Sequence, residues 1–309
     1  MITIQTTKRF FYQYLFAIVP IILISLVIIL FFVDVSVKYA TIHQEPLVSA
    51  LPSFVPTDYP FTPSILSPHI TAESAILMDD NSKVILYQKN PQLLISPAST
   101  TKIMTALIAL DYFKLTDVLT VQHPLTDPVV IGFFKGQQVT FENLLYAMML
   151  PSANDAALTI ADNYPGGQIA FVAAMDKRAQ RLHLTHTHFA DPIGLLDDGD
   201  YTNVVDLSRL ASVAIQNEEI AKVVNTKYYI VKTVDGMSFP VKNLNELLGI
   251  NGVNGVKTGY TSEAKQVLVT SIVRNNHTYI GVVMGSDDRF ADTRLLFPIL
   301  STISYQSMQ

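Results

Sequence analysis

The chain has 309 residues and a formal net charge of −5, and its basic residues form no patch of the kind that binds nucleic acid. It contains no cysteine, which excludes disulfides, thiolate zinc sites and cysteine nucleophiles. The length allows one large domain or two small ones, together with accessory segments.

A long uncharged stretch dominates the N-terminal part of the chain. Residues 10–33 contain no charged side chain, and as a helix rising about 1.5 Å per residue they would exceed a bilayer core of about 30 Å. Lys8 and Arg9 precede the stretch, so the positive-inside rule predicts a cytoplasmic N-terminus. We expect residues 1–40 to form a cytoplasmic stub and a single-pass transmembrane anchor in the cell membrane. The apolar core of a cleaved signal peptide is shorter, at about 7–15 residues.

Residues 41–70 are rich in proline, threonine and serine, a composition that favours an extended linker on the extracytoplasmic side. Residues 71–309 then form the exported domain. Their patterns predict, in chain order, a hairpin at 75–87, helices at 99–110, 141–149, 156–162, 168–184 and 206–216, a hairpin at 228–241, an edge strand near 257, strands at 267–273 and 278–284, and a last helix at 289–303 that Pro298 bends or divides. This order indicates an α+β domain in which N- and C-terminal strands share a sheet and the middle helices form a second lobe.

Ser99 and Lys102 lie three residues apart at the head of an apolar helix, so their side chains share one face. Burial of an ammonium costs several kcal/mol unless it is paired or loses its proton, and burial lowers the pKa of a lysine. The functional interpretation is a serine nucleophile with a lysine base. In the alternative, Ser99 caps the helix and Lys102 extends to the surface.

Two further motifs follow in the chain. Ser152 and Asn154 form an S-x-N triplet between two helices, and Lys257-Thr258-Gly259 precedes the last predicted hairpin. Taken alone, the K-T-G motif could be a glycine bulge beside an exposed lysine. S-x-x-K, S-x-N and K-T-G in this order are the pattern of class A β-lactamases and penicillin-binding proteins.

The chain from about Ala72 to Phe297 resembles the D-alanyl-D-alanine carboxypeptidases, the low-molecular-mass penicillin-binding serine peptidases. The resemblance is carried by PASTTKIMTALIAL, KGQQVTFENLLYAMMLPSANDAA, residues 171–211 and GVNGVKTGYT. It implies a β-lactamase/transpeptidase-like fold, with an antiparallel sheet flanked by helices and a mostly helical second lobe. It also implies removal of the terminal D-Ala from peptidoglycan stem peptides through an acyl-enzyme, without a cofactor or metal, and covalent inhibition by β-lactams.

The resemblance assigns roles to individual residues. Ser99 would be the acylated nucleophile and Lys102 its base, while Ser152 would relay a proton to the leaving amine. Asn154 would hold the substrate backbone. Lys257 and Thr258 would bind the terminal carboxylate, and Gly259 and Tyr260 of the same segment are also expected to bind substrate. The backbone N–H groups of Ser99 and Tyr260 would form the oxyanion hole. We expect Lys257 to favour the uncharged amine of Lys102 through like-charge repulsion.

The sequence departs from the family pattern at two places. Residues 262–266 replace a usual alanine-glycine pair, and the charged Lys265 makes close backbone packing beside the cleft less secure. In the loop 191–195, Ile193 occupies a position where the family often has histidine, so a contribution of this loop to substrate binding does not carry over. Arg289 matches a frequent family arginine and is interpreted mainly as solvated.

Other functions are compatible with parts of the sequence. A β-lactamase would use the same motifs, but no glutamate between residues 155 and 217 is available for deacylation. D,D-endopeptidase action on cross-links and a non-catalytic peptidoglycan-binding protein are further alternatives. Metal binding at His183, His186 and His188, or calcium binding at the turn containing Asp197, Asp198 and Asp200, is a weaker hypothesis than a solvated surface.

Overall fold

A five-stranded antiparallel sheet, built from both ends of the chain, forms the centre of the fold. The computed structural model describes residues 58–62, 67–126, 129–195 and 199–307. The strand order of the sheet is β3-β2-β10-β9-β8, and two-stranded ribbons pair β1 with β11, β4 with β5 and β6 with β7. The strands are β1 Asp58–Phe61, β2 Ser74–Asp79, β3 Ile85–Lys89, β4 Val118–Thr120, β5 Gln138–Thr140, β6 Tyr228–Lys232, β7 Ser238–Lys242, β8 Val253–Thr261, β9 Lys265–Arg274, β10 His277–Ser286 and β11 Ser304–Ser307. The predicted sharing of one sheet by N- and C-terminal strands is confirmed.

Turn chemistry explains the hairpins. Asn275 and Asn276 both have positive φ angles, as the tight turn between β9 and β10 requires. Gly236 also has a positive φ in the predicted turn between β6 and β7. The three hairpins predicted from the sequence, β2–β3, β6–β7 and β9–β10, are present.

Seven α-helices lie among the described residues: α1 Lys102–Tyr112, α2 Phe141–Met149, α3 Asn154–Asp162, α4 Gly167–Arg181, α5 Val204–Ile215, α6 Glu218–Val224 and α7 Arg289–Leu300. Side-chain caps fix several of their starts. Asn203 Oδ1 accepts a hydrogen bond from Asp206 N at 2.8 Å at the head of α5, and the Asp288 carboxylate caps α7 in the same way. Pro298 does not divide α7, because only the last residues of the helix follow it.

The sheet is buried on both faces, and alternate residues of each strand supply the two cores. Ile76 and Met78 of β2 face α5 and the helical lobe, while Ala75 and Leu77 face α7. In the lobe, α1 packs against α2, α3, α4 and α5. This central position explains why every residue from Lys102 to Ala109 is buried.

The two ends of the described chain pair with each other. β1 runs antiparallel to β11, with Tyr59 opposite Gln306, so residues 58–61 of the predicted linker 41–70 are attached to the domain. The Asp292 carboxylate also accepts hydrogen bonds from the backbone N–H groups of Thr71 and Ala72, at 2.8 and 2.7 Å. Residues 41–57 and 63–66 lie outside the described residues, and the domain boundary at 70 stays a prediction.

The predicted transmembrane stretch, residues 10–33, also lies outside the described part of the chain. Within the ranges that are described, every helix is too short or too polar to cross a bilayer. The structure therefore leaves the N-terminal anchor as an expectation from sequence.

Candidate active site

Ser99 lies in a 3₁₀ turn, Ala98–Thr101, that leads directly into α1. Thr100 closes the turn, because its backbone N–H and its hydroxyl both donate to the Pro97 carbonyl, at 3.2 and 2.6 Å. The turn residue before Ser99, Ala98, has a φ of 48°. Pro97 occupies the cap position of the turn and makes no side-chain cap bond. The half-buried Ser99 hydroxyl instead contacts Lys102, which contradicts the alternative of a helix cap.

Lys102 is fully buried at the first position of α1, so the alternative in which it extends to the surface is wrong. Its Nζ lies 2.9 Å from Ser99 Oγ, 2.8 Å from Asn154 Oδ1 and 2.8 Å from the Ile193 carbonyl oxygen. The Asn154 and Ile193 oxygens can only accept hydrogen bonds. In its uncharged form the amine has two N–H groups, and if these donate to Asn154 and Ile193 its lone pair faces the Ser99 hydroxyl.

The S-x-N motif is held by the turn between α2 and α3. Asn154 is the first residue of α3, and its backbone N–H donates to Val129 O at 2.8 Å. The buried Asp155 carboxylate accepts from the backbone N–H groups of Ile131, Gly132 and Phe133, which fixes the facing loop. Asn154 is therefore rigidly placed against Lys102.

Ser152 adopts a φ of 67° and is almost completely buried. Its hydroxyl makes no hydrogen bond with any residue that the structure describes. A buried hydroxyl without a partner is costly, and such groups are concentrated at functional sites. The Ser152 hydroxyl can thus exchange a proton with a bound molecule.

The K-T-G motif lies on β8, the edge strand predicted from the sequence. Lys257 and Thr258 are both buried. Burial, together with the positive charges of Lys102 and Arg289, holds the pKa of Lys257 well below its ordinary value. Among the described residues, Lys257 Nζ donates one hydrogen bond, to Thr258 O at 3.0 Å. The motif therefore contains a buried amine with donors to spare, not the exposed lysine of the alternative interpretation.

Gly259 brings β8 into contact with the serine turn. A Cβ at this position would lie 3.2 Å from Ser99 N and 3.1 Å from Ala98 Cβ. The next residue, Tyr260, has 62% of its surface exposed. The strand therefore approaches the turn that carries Ser99, and the oxyanion hole assigned to the N–H groups of Ser99 and Tyr260 stays a prediction.

Arg289, interpreted from sequence as mainly solvated, contacts the same strand. Its Nη1 donates to Gly259 O at 2.9 Å, and burial lowers the pKa of the guanidinium. Lys265, by contrast, points away to Glu73, with 2.7 Å between its Nζ and Oε1. The departure at residues 262–266 is accommodated on the surface, and the close approach of Gly259 to Ser99 is kept.

The loop 191–195 is the part of the site that sequence reasoning missed. The Ile193 side chain is apolar, but its backbone carbonyl contacts Lys102. A backbone acceptor does not depend on the side chain, so the absence of histidine removes nothing from this contact. The spacing of Asp191 and Gly194, typical of a turn in which the aspartate binds following N–H groups, was the available signal.

The histidine cluster forms ordinary polar contacts. His188 Nδ1 lies 2.8 Å from Asp176 Oδ2, and His186 Nδ1 lies 3.0 Å from Thr185 Oγ1. Within the described ranges, no three histidine or carboxylate side chains are grouped to hold a metal ion. Asp197 and Asp198 of the proposed calcium turn lie outside those ranges, whereas Asp200 accepts a hydrogen bond from Ala190 N.

An α+β fold in which a serine and a buried lysine meet at the head of the central helix defines the class of serine peptidases that use a lysine base. The pattern that describes the D-alanyl-D-alanine carboxypeptidase family matches residues 62–288. The chain belongs to this family of serine hydrolases.

Named relatives cover most of this chain. It is 34% identical over 223 residues to D-alanyl-D-alanine carboxypeptidase DacF of Bacillus subtilis, a match that includes 70% of this chain and 57% of the relative. It is 35% identical over 243 residues to a Streptomyces D-alanyl-D-alanine carboxypeptidase, covering 72% and 84%. It is also 31% identical over 287 residues to a D-alanyl-D-alanine endopeptidase of Pseudomonas aeruginosa, covering 88% and 86%. The chain thus spans little more than half of the Bacillus relative.

The fold agrees with solved structures of the same group. The crystal structure of a Streptomyces DD-transpeptidase superposes with a TM-score of 0.70 at 32% identity, covering 77% of this chain and 98% of the other. The predicted transpeptidase-like α+β fold is therefore confirmed.

Proposed function

We propose that this protein is a membrane-anchored serine-type D-Ala-D-Ala carboxypeptidase that removes the terminal D-Ala from peptidoglycan stem peptides and is acylated by penicillin. The contact of 2.9 Å between Lys102 Nζ and Ser99 Oγ, inside a site that also holds Asn154, carries the proposal. The names of the relatives in Bacillus and Streptomyces support the substrate.

Acylation begins when Ser99 Oγ attacks the carbonyl carbon of the scissile bond. As the C–O bond forms, the hydroxyl proton moves to the lone pair of Lys102, whose two N–H groups stay on Asn154 and Ile193. The backbone N–H groups of Ser99 and Tyr260 donate to the developing oxyanion. The loss of one such donor typically costs about 100-fold to 1,000-fold in rate.

Collapse of the tetrahedral intermediate breaks the C–N bond and releases D-Ala. The leaving nitrogen needs a proton, and Ser152 supplies it while taking the proton that Lys102 holds. Water then attacks the carbonyl carbon of the Ser99 ester and gives a proton to Lys102. The bond from that carbon to Ser99 Oγ breaks, Lys102 returns the proton to Oγ, and the shortened peptide is released. The uncommitted hydroxyl of Ser152 supports this relay.

Substrate orientation comes from the other two motifs. A peptide that ends in D-Ala presents a carboxylate one residue from the scissile bond, and Lys257 with Thr258 offers a cation and a hydroxyl for it. Gly259 allows the strand to approach Ser99 closely. Asn154 keeps its amide nitrogen to donate to a substrate carbonyl while its oxygen holds Lys102.

The proposal also includes location. Residues 10–33 anchor the protein in the cell membrane with the N-terminus in the cytoplasm, and the catalytic domain acts outside it. The proline-rich linker separates the domain from the lipid and lets it reach the wall.

The direct test uses full-length protein in detergent. We expect Ser99→Ala to abolish both covalent labelling by a fluorescent penicillin and D-Ala release from a pentapeptide, because the variant lacks the hydroxyl that lies 2.9 Å from Lys102 Nζ and is proposed to be acylated. Ser238→Ala, in the exposed hairpin β6–β7, is the matched control and should label normally. Substantial labelling of Ser99→Ala would refute the assignment.

A second function is supported by the match to the Pseudomonas endopeptidase, which extends over more of this chain than the carboxypeptidase matches. Cross-linked muropeptide dimers and pentapeptide monomers, offered at equal concentration, distinguish the two activities. Monomer turnover supports the carboxypeptidase, and cleavage confined to dimers supports the endopeptidase. Nitrocefin turnover as fast as pentapeptide cleavage would instead indicate a β-lactamase, and labelling without turnover of any substrate would indicate a binding protein.

A further inference from the structure

We propose that Asp191 is a positioning residue for the catalytic base, because its carboxylate orients the peptide planes of the loop 191–195 so that the Ile193 carbonyl faces Lys102. The inference rests on the proposed role of Lys102 as base. The inference depends on how Asp191 orients the backbone of this loop, and not on a direct contact between the Asp191 and Lys102 side chains.

The Asp191 carboxylate binds three successive backbone N–H groups. Oδ1 accepts from Ile193 N at 2.6 Å and from Gly194 N at 2.5 Å, and Oδ2 accepts from Leu195 N at 3.1 Å. Hydrogen bonds to an ionised carboxylate are roughly twice as strong as those between neutral groups. One buried side chain therefore determines the conformation of the entire turn.

The N–H and C=O of a trans peptide point in opposite directions. Because the Ile193 N–H faces Asp191, the Pro192 carbonyl in the same peptide plane faces the opposite way, where it accepts from Thr105 Oγ1 at 2.7 Å. Because the Gly194 N–H also faces Asp191, the Ile193 carbonyl faces Lys102 Nζ at 2.8 Å. The acceptor residues Pro192 and Ile193 thus meet two side chains of α1 that lie three residues apart on one face.

Gly194 allows this loop to pack closely against the turn Ala98–Thr101, which carries Ser99. It has a φ of 78°, and a Cβ added there would overlap the Ala98 carbonyl. The loop therefore contacts both the residue before the nucleophile and the base. Without the carboxylate, the two peptide planes lose their common acceptor and the Ile193 carbonyl can rotate away from the amine.

The chemical consequence is specific to proton transfer. Loss of the Ile193 acceptor removes one of the contacts that orient the Lys102 amine, so the lone pair of its uncharged form is directed less well at Ser99 Oγ. A misplacement of about 1 Å in a catalytic group can cost on the order of 100-fold in rate. Reversible substrate binding depends on Lys257, Thr258 and Asn154, which this change leaves in place.

The test compares Asp191→Ala with Asp191→Asn in the full-length protein. The saturating rate of acylation by penicillin and the dissociation constant of the preceding reversible complex are measured separately by stopped flow. For Asp191→Ala we expect the acylation rate to fall about 100-fold while the dissociation constant changes less than about threefold. Asparagine retains one acceptor oxygen in the place of Oδ1, so Asp191→Asn should restore the rate to within about tenfold of the wild type.

Asp206→Asn is the matched control. Asp206 is also a buried carboxylate that binds a loop, since it accepts from His186 N and from the Thr187 hydroxyl, and these two bonds lie outside the lysine site. We expect its acylation rate to stay near that of the wild type even if its melting temperature falls. A fall as large as that of Asp191→Ala would overturn the inference, since loss of any buried carboxylate would then have the same effect.

Two further outcomes decide the inference. A normal acylation rate in folded Asp191→Ala would disprove the positioning role while leaving the proposed function intact, provided that Ser99→Ala stays unlabelled. If Asp191→Ala does not fold, Asp191→Glu replaces it. The longer carboxylate should lower the acylation rate at least tenfold, and a wild-type rate in Asp191→Glu would overturn the proposal.

Discussion

Two fully buried lysines, Lys102 and Lys257, lie close enough for their charges to interact, yet the protein surrounds them differently. Lys102 Nζ contacts three oxygens, from a hydroxyl, an amide and a backbone carbonyl. Lys257 Nζ donates to one backbone carbonyl among the described residues, and its pKa is lowered by burial and by the charges of Arg289 and of Lys102 in its protonated form. Among the described residues, the fold thus supplies several acceptors to Lys102 but one backbone carbonyl to Lys257.

The difference separates two uses of the same side chain. The acceptors around Lys102 determine where its lone pair points, which is what a base needs before substrate arrives. Lys257 has donors to spare, and its pKa is lowered by burial and by nearby positive charge. An anion that binds beside it therefore offsets both the loss of hydration and the charge repulsion. We infer that the Lys102 site is complete in the free protein and that the Lys257 site is completed by the substrate carboxylate.

The largest expected effect tests the first half of this comparison. Lys102→Met removes the base but keeps an unbranched side chain of similar length, so we expect acylation by penicillin to fall by about 10²-fold to 10⁴-fold, the usual contribution of a positioned base. Stopped-flow acylation kinetics measure the change. An acylation rate within tenfold of the wild type would show that another group accepts the Ser99 proton.

The second effect concerns substrate binding. Lys257→Met removes the cation proposed for the carboxylate, and we expect kcat/KM for D-Ala release to fall by about 100-fold, because charge-assisted hydrogen bonds to carboxylates contribute about 1.5–3 kcal/mol. A substrate amide that lacks the terminal carboxylate is the control. The amide should be cleaved equally poorly by the wild type and by Lys257→Met. If Lys257→Met still cleaves the substrate with a terminal carboxylate faster than the amide, the proposed role of Lys257 is wrong.

The same two variants should change stability in opposite directions. Lys102→Met leaves the Asn154 and Ile193 oxygens without their donor, and an unsatisfied buried acceptor costs about 1–3 kcal/mol. Lys257→Met removes a buried cation with cationic neighbours, and we expect the free energy of unfolding to rise by about 1–3 kcal/mol. Urea denaturation measures both changes. Equal destabilisation by the two substitutions would show that the environments do not differ as described.

The smallest effect is the pH dependence of stability. The pKa of Lys257 is lowered in the folded protein, so between that lowered pKa and the ordinary value of 10.5 the unfolded chain binds the proton more tightly. The free energy of unfolding that Lys257 contributes therefore rises with pH across this window and is lost as pH falls through the folded-state pKa. The stability advantage of Lys257→Met over the wild type should narrow from pH 7 to pH 10. A constant difference would indicate that the folded-state pKa is not lowered.

Much of the site was predictable because its residues are tied to local signals. Ser99 and Lys102 are one helical turn apart, and the apolar run that follows predicts a buried helix, so their contact needs no knowledge of distant elements. Gly259 likewise indicates close backbone approach from its residue type alone. The motif residues were identified in advance, and the geometry around Ser99, Lys102 and Asn154 agrees with those identifications.

Features that depend on distant pairing were missed or misjudged. Residues 58–61 look like part of a proline-rich linker, yet they pair with β11 nearly 250 positions later in the chain, and no local pattern specifies that partner. Arg289 looks solvated in sequence but contacts Gly259 O because α7 packs beneath the sheet. The Ile193 side chain suggested a lost interaction, whereas the backbone carbonyl supplies it.

The sequence by itself determined the α+β class, the three hairpins and the contact between Ser99 and Lys102, because turn chemistry, strand alternation and helical spacing act over a few residues. The tertiary structure alone decided which groups surround Lys102 and Lys257. Burial, like-charge proximity and the direction of the Ile193 carbonyl arise only where segments from α1, α3, β8 and the loop 191–195 meet, and those long-range contacts set the chemistry of two otherwise identical side chains.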